Sequence, residues 1–202
     1  MNDPKIIANY LNCLSMLENS TFLLYQKLSD KAEVPLVKTL LLSIALDSSK
    51  HSALLKGVAD SIAVSKEKTE DCAKKLGETW QIIDTLLKET ASKEKMSGLE
   101  LQQLIEKLTI LERIAGEEYY IFLQMKTLQH MIKEINQLYN VNLERIKNIF
   151  ERIIEDEEHH RELLATIKKL LSENKRADQD NTPLIKYQNP DSWIQYSPPN
   201  NP

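Results

Sequence analysis

Apolar residues recur at every third or fourth position along most of the chain, which is the spacing of helices with one buried face. The longest uninterrupted example lies between Val141 and Asn174, where neither Gly nor Pro occurs. Two others begin at Pro4 and Pro35, and proline is common in the first turn of a helix. Another follows Ser97-Gly98-Leu99-Glu100, which resembles a capping box. The pattern therefore predicts an all-α fold with four long helices.

The first long helix is predicted over about 4–30, and the second begins at Pro35. The third runs from the capping box to about position 138, and the fourth covers about 141–172. A shorter amphipathic helix, about Glu70–Thr90, lies in the weaker segment between the second and third. We therefore expect residues 1–174 to form one bundle, with about 65–98 as a crossover insertion. Five of the seven prolines lie beyond position 180, so 175–202 should be an extended or disordered tail.

Composition excludes several classes of protein. The net charge is −4 and no basic cluster offsets it, which argues against nucleic-acid binding. Two cysteines, Cys13 and Cys72, provide neither a disulfide framework nor a Cys-x-x-Cys metal site, so we expect them to be packing residues. The N-terminus lacks the form of a signal peptide, and the longest apolar run is too short to span a bilayer. We expect a soluble, cytoplasmic protein without a membrane partner.

An acidic run that ends in histidine, Asp156-Glu157-Glu158-His159-His160, interrupts the apolar stripe of the last helix. Asp156, Glu157 and His160 fall on one helical face, because residues three and four apart are neighbours. A carboxylate and an imidazole on a buried face are costly unless they are paired or bind metal. Such a run is more often a solvated face, so this segment alone is weak evidence for a metal site.

The chain also contains an internal repeat. A shift of one hundred positions places Glu18 of the first helix on Glu118 of the third, with Phe22 on Phe122. In the same way Asp47 to Leu55 of the second helix matches Asp156 to Leu164 of the fourth, with Asp, His and Leu-Leu coinciding. The repeat indicates two helical hairpins with the same order of acid and histidine.

The position of the turn between the third and fourth helices then indicates which glutamate of the third helix lies level with Glu157. In an antiparallel hairpin, residues equidistant from the turn lie level with each other. The midpoint of Glu118 and Glu157 falls beside the polar break Tyr139-Asn140. Glu112 would need a turn near position 134, where no breaker occurs, and it lies about 9 Å along the helix from Glu118. We therefore expect Glu118, rather than Glu112, to lie level with Glu157.

With these residues, the chain resembles the ferritin-like, rubrerythrin-like superfamily over about 1–60 and 99–172. That resemblance implies an antiparallel four-helix bundle in which the first and third helices each give a Glu and the second and fourth each give Glu-x-x-His. It implies two divalent metal ions, iron in the first place and Mn or Zn as alternatives. The implied ligands are Glu18 and His51 for one ion, Glu118 and His160 for the other, and Glu157 as a bridge.

Further residues match the superfamily's pattern around the metal. Tyr25, seven residues after Glu18, matches a tyrosine that some members place beside the metal, and it is the candidate catalytic residue. Asp47 and Asp156, each four residues before a histidine, match an aspartate that orients the imidazole. Ser48 departs from the pattern, because the superfamily has a second bridging Glu there. We expect metal at the Glu18 side to bind weakly or be absent, or an exogenous oxygen ligand to replace the missing bridge.

Two functions from different classes remain open. The resemblance implies a non-haem di-metal oxidoreductase that acts on O2 or peroxide with an unknown electron donor. The alternative is a degenerate, non-catalytic bundle in which the same polar residues form a buried hydrogen-bond network and the protein binds a partner. Iron storage is a third and less favoured reading. We also expect a homodimer, in which the aromatic residues of the tail pack along the bundle or a second subunit.

Overall fold

A computed structural model describes residues 4–63, 68–124 and 144–179 of the 202-residue chain. Within these ranges the chain is almost entirely helical and contains no strand. The helices are α1 (Pro4–Lys31), α2 (Pro35–Ile62), α3 (Thr69–Ala91), α4 (Gly98–Gln124) and α5 (Glu144–Gln179). The all-α prediction is confirmed, and the four long helices and the shorter crossover helix are present.

The four long helices form two antiparallel hairpins. In the first hairpin the Ser15 hydroxyl donates to the backbone oxygen of Ser52, and the Ser29 hydroxyl donates to that of Lys38, so α1 and α2 run in opposite directions. In the second, Lys168 of α5 pairs with Glu106 of α4 and His160 of α5 contacts Glu112 of α4, so these helices also run in opposite directions. The hairpins meet where α2 packs against α5.

Pairs between α2 and α5 also run in opposite directions, since Asp47 lies beside His160 and Lys50 beside Asp156. Because α5 is antiparallel to both α2 and α4, helices α2 and α4 run parallel to each other. A short turn cannot connect parallel helices, so the chain needs the crossover that α3 provides.

The beginnings of α2 and α4 follow from local sequence. Pro35 begins α2 after Val34, whose backbone is extended as expected before proline. At α4 the Glu100 carboxylate accepts hydrogen bonds from the Ser97 backbone N–H and hydroxyl, which confirms the predicted capping box. The hydrogen bond from Lys93, followed by those from Ser97, lowers the pKa of Glu100 to about 2.

The crossover helix α3 packs mainly along α1 and is joined to it by a disulfide between Cys13 and Cys72. The expectation that these cysteines are only packing residues was wrong, although both are fully buried. Their pairing depends on how α3 docks, which their separation of 59 residues does not reveal. Gly77 interrupts α3 with φ 51° and ψ −119°, a conformation that favours glycine.

The core lies between the hairpins and beneath α3, and it consists mainly of Leu, Ile and Val with the buried Tyr25, Tyr119 and Phe150. None of the described helices has the length and apolar character needed to cross a membrane. Helix α5 continues to Gln179, past the predicted domain boundary at 174. The predicted turn at Tyr139-Asn140 and the tail beyond Gln179 lie outside the described residues.

Candidate metal centre

Five ionisable side chains lie in the middle of this apolar core. Each is at most 4% exposed, and α1, α2 and α4 contribute one each while α5 contributes two. They are Glu18 of α1, His51 of α2, Glu112 of α4, and Glu157 and His160 of α5. Burial of so many charges in one place is costly unless they neutralise one another or bind cations.

The first cluster, here called the His51 group, contains Glu18, His51 and Glu157. The Nδ1 atom of His51 lies 3.2 Å from Glu157 Oε1 and 3.9 Å from Glu18 Oε2. One candidate ligand atom from each of the three residues lies within 4.8 Å of the other two. The His51 group therefore brings together the residues that the sequence predicted for one side of the site.

The second cluster, the His160 group, contains Glu112, Glu157 and His160. The Nδ1 atom of His160 lies 3.2 Å from Glu112 Oε2 and 3.8 Å from Glu157 Oε2. Its candidate ligand atoms also lie within 4.8 Å of one another. Glu157 belongs to both groups and turns one oxygen toward each histidine, while the two imidazole rings lie 5.9 Å apart. A carboxylate in this position can join two ions.

The donors in these groups fit divalent metal ions. The buried Nδ1 atom of His51 has no hydrogen-bond partner among the described residues, although it faces two carboxylates. A buried nitrogen without a partner is rare, and a bound cation would satisfy it. Imidazole nitrogen with carboxylate oxygen is a donor set that binds Fe, Mn and Zn.

Without a metal the glutamates of α1 and α4 hold protons more tightly than usual. Burial, followed by the charge of Glu157, raises the pKa of Glu18 to about 7 and that of Glu112 to about 8. The negative charge in this cluster is therefore concentrated on Glu157. A divalent ion that binds both groups has to displace these protons.

The charges of Glu157 and the histidines stabilise each other. Burial alone would raise the pKa of Glu157, but the neighbouring imidazoles of His160 and His51 outweigh it and lower that pKa. Burial likewise opposes protonation of His160, yet Glu112 and Glu157 raise its pKa to about 11. The charges of His160 and Glu157 therefore stabilise each other within the buried centre.

Two tyrosines connect α1 and α4 crosswise. The Tyr25 hydroxyl of α1 donates a hydrogen bond to Glu112 of α4, and the Tyr119 hydroxyl of α4 donates one to Glu18 of α1. Both rings are fully buried, and burial, with the charge of Glu112, raises the pKa of Tyr25 well above its ordinary value. Tyr25 lies at the centre where the sequence placed it, whereas Tyr119 was missed.

The reasoning that left Glu112 out of the site was wrong, because Glu112 contacts His160 and shares its group with Glu157. The side chain of Glu118 lies outside the described residues, so its predicted role as a ligand stays a prediction. A signal in the sequence could have identified Glu112. Tyr119 follows Glu112 by seven residues, as Tyr25 follows Glu18, and this match needs a shift of 94 rather than 100 positions.

The family model of rubrerythrin matches residues 14–168. The chain belongs to the rubrerythrin family. The match extends from α1 to α5 and includes every residue of the His51 and His160 groups. Neither the curated proteins nor the solved structures compared with the chain include a match.

In this member of the rubrerythrin family, two aspartates, Asp47 and Asp156, lie beside the histidines of the centre. Asp156 of α5 accepts a hydrogen bond of 3.0 Å from Nε2 of His51, which belongs to α2. Asp47 of α2 approaches Nε2 of His160, which belongs to α5, to 3.5 Å. Each aspartate therefore faces the histidine of the other helix and not the one that follows it in sequence.

The two hairpins of this rubrerythrin family member differ at Ser48, which occupies the position equivalent to Glu157. It precedes His51 by three residues, as Glu157 precedes His160. Ser48 is 1% exposed, and its hydroxyl donates to the backbone oxygen of Ile44 at 3.2 Å. Helix α2 therefore contributes one residue to the groups where α5 contributes two.

Proposed function

We propose that the protein is a non-haem di-iron oxidoreductase that reduces peroxide or O2. The observation that supports this most is the pair of ligand groups joined by Glu157, each with one histidine. When bound, two adjacent iron ions would supply the two electrons that the reduction of one peroxide requires. The rubrerythrin family match is consistent with iron as the metal.

The residues of the chain have separable roles in this proposal. His51 and His160 would hold the ions through the ring nitrogens that face the glutamates, Glu157 would be shared by the two groups, and Glu18 and Glu112 would supply the remaining carboxylates. Imidazole suits this role because it remains a good ligand for iron in both common oxidation states. The buried side chains around the groups exclude bulk water, which strengthens every charge interaction inside.

Tyr25 and Tyr119 would orient the outer glutamates and keep a proton near the reacting oxygen atoms. Each hydroxyl already donates to a glutamate of the facing helix, which limits rotation of that carboxylate. The raised pKa of Tyr25 keeps its hydroxyl protonated at neutral pH. Tyr25 therefore remains our candidate catalytic residue, and Tyr119 is its counterpart on α4.

The alternative, a degenerate bundle that binds a partner protein, is favoured by one observation. Ser48 stands where the superfamily pattern has a bridging Glu, and the three glutamates present do not neutralise two divalent ions. If the protein nevertheless binds metal, Ser48→Glu should raise the affinity of the His51 group because it restores the missing charge. A Ser48→Glu protein that loses stability in the presence of metal would show that position 48 does not face the ions.

The proposal is tested by loading the chelator-free protein with Fe(II) under anaerobic conditions and measuring iron by elemental analysis. We expect about two ions per chain, as in other two-metal carboxylate sites. Peroxide should then be consumed at about one molecule per two Fe(II), because its reduction takes two electrons. No retained Fe(II), Mn(II) or Zn(II) would eliminate the enzyme and favour the partner-binding bundle.

A matched pair of variants shows whether retained iron occupies this centre. His160→Ala removes a fully buried member of the His160 group, whereas the side chain of its neighbour His159 is 60% exposed. We expect His160→Ala to lose the iron held by that group and to consume little peroxide. His159→Ala should behave like the wild type, and equal losses in both variants would contradict the proposed location.

A further inference from the structure

We propose that Lys50 is a positioning residue that sets the orientation of both histidines by holding the two crossed aspartates. The inference rests on the proposed metal-binding function of the two groups. It begins with the ring atoms that face away from the glutamates. Nε2 of His51 hydrogen-bonds to Asp156, and Nε2 of His160 lies 3.5 Å from Asp47 without a hydrogen-bond partner among the described residues. An aspartate at Nε2 keeps the ring proton on that atom and leaves Nδ1 free to bind an ion.

Lys50 connects these aspartates across the boundary between the two hairpins. Its Nζ atom lies 2.7 Å from Asp47 Oδ1 on its own helix and 2.8 Å from Asp156 Oδ2 on α5. The same Oδ2 atom accepts the hydrogen bond from His51. One ammonium group therefore holds both carboxylates in place, each between a cation and an imidazole.

The two aspartates depend on Lys50 to different extents. Arg152 contacts the other oxygen of Asp156 at 3.2 Å, so Asp156 keeps a cation when Lys50 is removed. Among the described residues, Asp47 pairs with Lys50 and His160 alone, and its side chain is 29% exposed. Asp47 can thus turn toward solvent once Lys50 no longer holds it. Loss of Lys50 should therefore affect His160 more than His51.

The test compares Lys50→Met with Lys56→Met, which removes a lysine six residues later on the same helix. Lys56 pairs with the exposed Asp60 and contacts no member of either group, which makes it a matched control. Zn(II) affinity is measured by competition with a chromophoric chelator. We expect Lys50→Met to weaken binding about 10-fold, as is typical when the partner of a ligating histidine is disturbed. Lys56→Met should leave the affinity unchanged.

A second measurement follows the imidazole N–H protons of the Zn(II)-loaded protein by NMR. In Lys50→Met the Nε2–H of His160 should exchange with solvent much faster than in the wild type, and that of His51 should change less. A role in general stability would not single out one ring. Unchanged exchange at both rings, or equal affinities of the Lys50→Met and Lys56→Met proteins, would overturn the inference.

The pathway through Asp47 is tested with a double-mutant cycle. If Lys50 acts through Asp47, Lys50→Met should weaken Zn(II) binding less in an Asp47→Asn background than in the wild type. Fully additive effects would contradict this route. A wild-type protein that binds none of Zn(II), Fe(II) and Mn(II) would overturn both the proposed function and this inference. Binding that is insensitive to Lys50 would overturn the inference alone.

Discussion

At the scale of single residues, the structure and the sequence argument differ in the glutamate that α4 contributes to the centre. The sequence argument selected Glu118, whereas Glu112 contacts His160 in the structure. If Glu112 is the ligand, Glu112→Gln should reduce iron from about two ions per chain to about one, because a neutral amide binds a divalent ion more weakly than a carboxylate does. Glu118→Gln should then leave the iron content unchanged. Elemental analysis of both variants decides between them, and the opposite pattern would restore the role predicted for Glu118.

Charge at the centre also predicts how the metal-free protein responds to pH. The pKa of Glu18 rises from 4.5 to about 7, that of Glu112 from 4.5 to about 8, and that of His160 from 6.5 to about 11. Raised values mean that the folded protein binds more protons than the unfolded chain, so their stabilisation is lost as pH rises. The lowered pKa of Glu157 changes the stability of the folded protein only below about pH 4.5, where the carboxyl of the unfolded chain takes up a proton.

We therefore expect the metal-free protein to unfold at a lower temperature at pH 8 than at pH 6.5. Glu112→Gln should weaken this dependence, because the amide does not titrate. Metal affinity should change in the opposite sense and increase over the same pH interval, since binding releases protons. Thermal unfolding at several pH values, with and without Zn(II), checks both statements. A melting temperature that rises with pH in the metal-free protein would contradict the account.

At the scale of elements, apolar spacing and end signals were sufficient for most of the fold. Pro35 and the Ser97–Glu100 box begin their helices as predicted, and α3 runs over Thr69–Ala91 where about Glu70–Thr90 was expected. The alignment of α1 with α4 was wrong because Leu and Ile positions match at several shifts. Only the paired polar residues, a glutamate and a tyrosine seven apart, select the shift that the structure has.

The disulfide between α1 and α3 yields a prediction at this scale. Cys13 and Cys72 close a loop of 59 residues, for which restriction of the unfolded chain corresponds to about 4 kcal/mol of stability. Reduction with a phosphine should lower the free energy of unfolding by up to this amount in denaturant titrations. A Cys13→Ala/Cys72→Ala protein should not respond to the reductant. An unchanged wild-type protein under reducing conditions would show that the bond does not support the fold.

At the scale of the whole molecule, the rubrerythrin family match and the buried centre support the same metal-binding interpretation. The disulfide bears on the predicted cytoplasmic location, because such bonds are typical of oxidising compartments. That location stays a prediction.

The homodimer also stays a proposal, and size-exclusion chromatography of a chain truncated after Gln179 tests whether the tail supports it. Retention of the dimer after truncation would exclude the tail as its cause.

Sequence reasoning was weakest where function depends on contacts between hairpins. Asp47 and Asp156 were recognised as partners of histidine, but their crossing to the opposite helix depends on how α2 packs against α5. The same packing places Lys50 between them, and no pattern within one helix indicates it. The residue types were therefore predictable, while their pairing required the tertiary structure.

The central claim is that two ions bind on either side of Glu157. It is tested most directly by anomalous diffraction at the iron edge from crystals of the Fe(II)-loaded protein. We predict two peaks in the core, one within the His51 group and the other within the His160 group. Iron found only at the protein surface, or in the core without Glu157 as a ligand, would contradict the account.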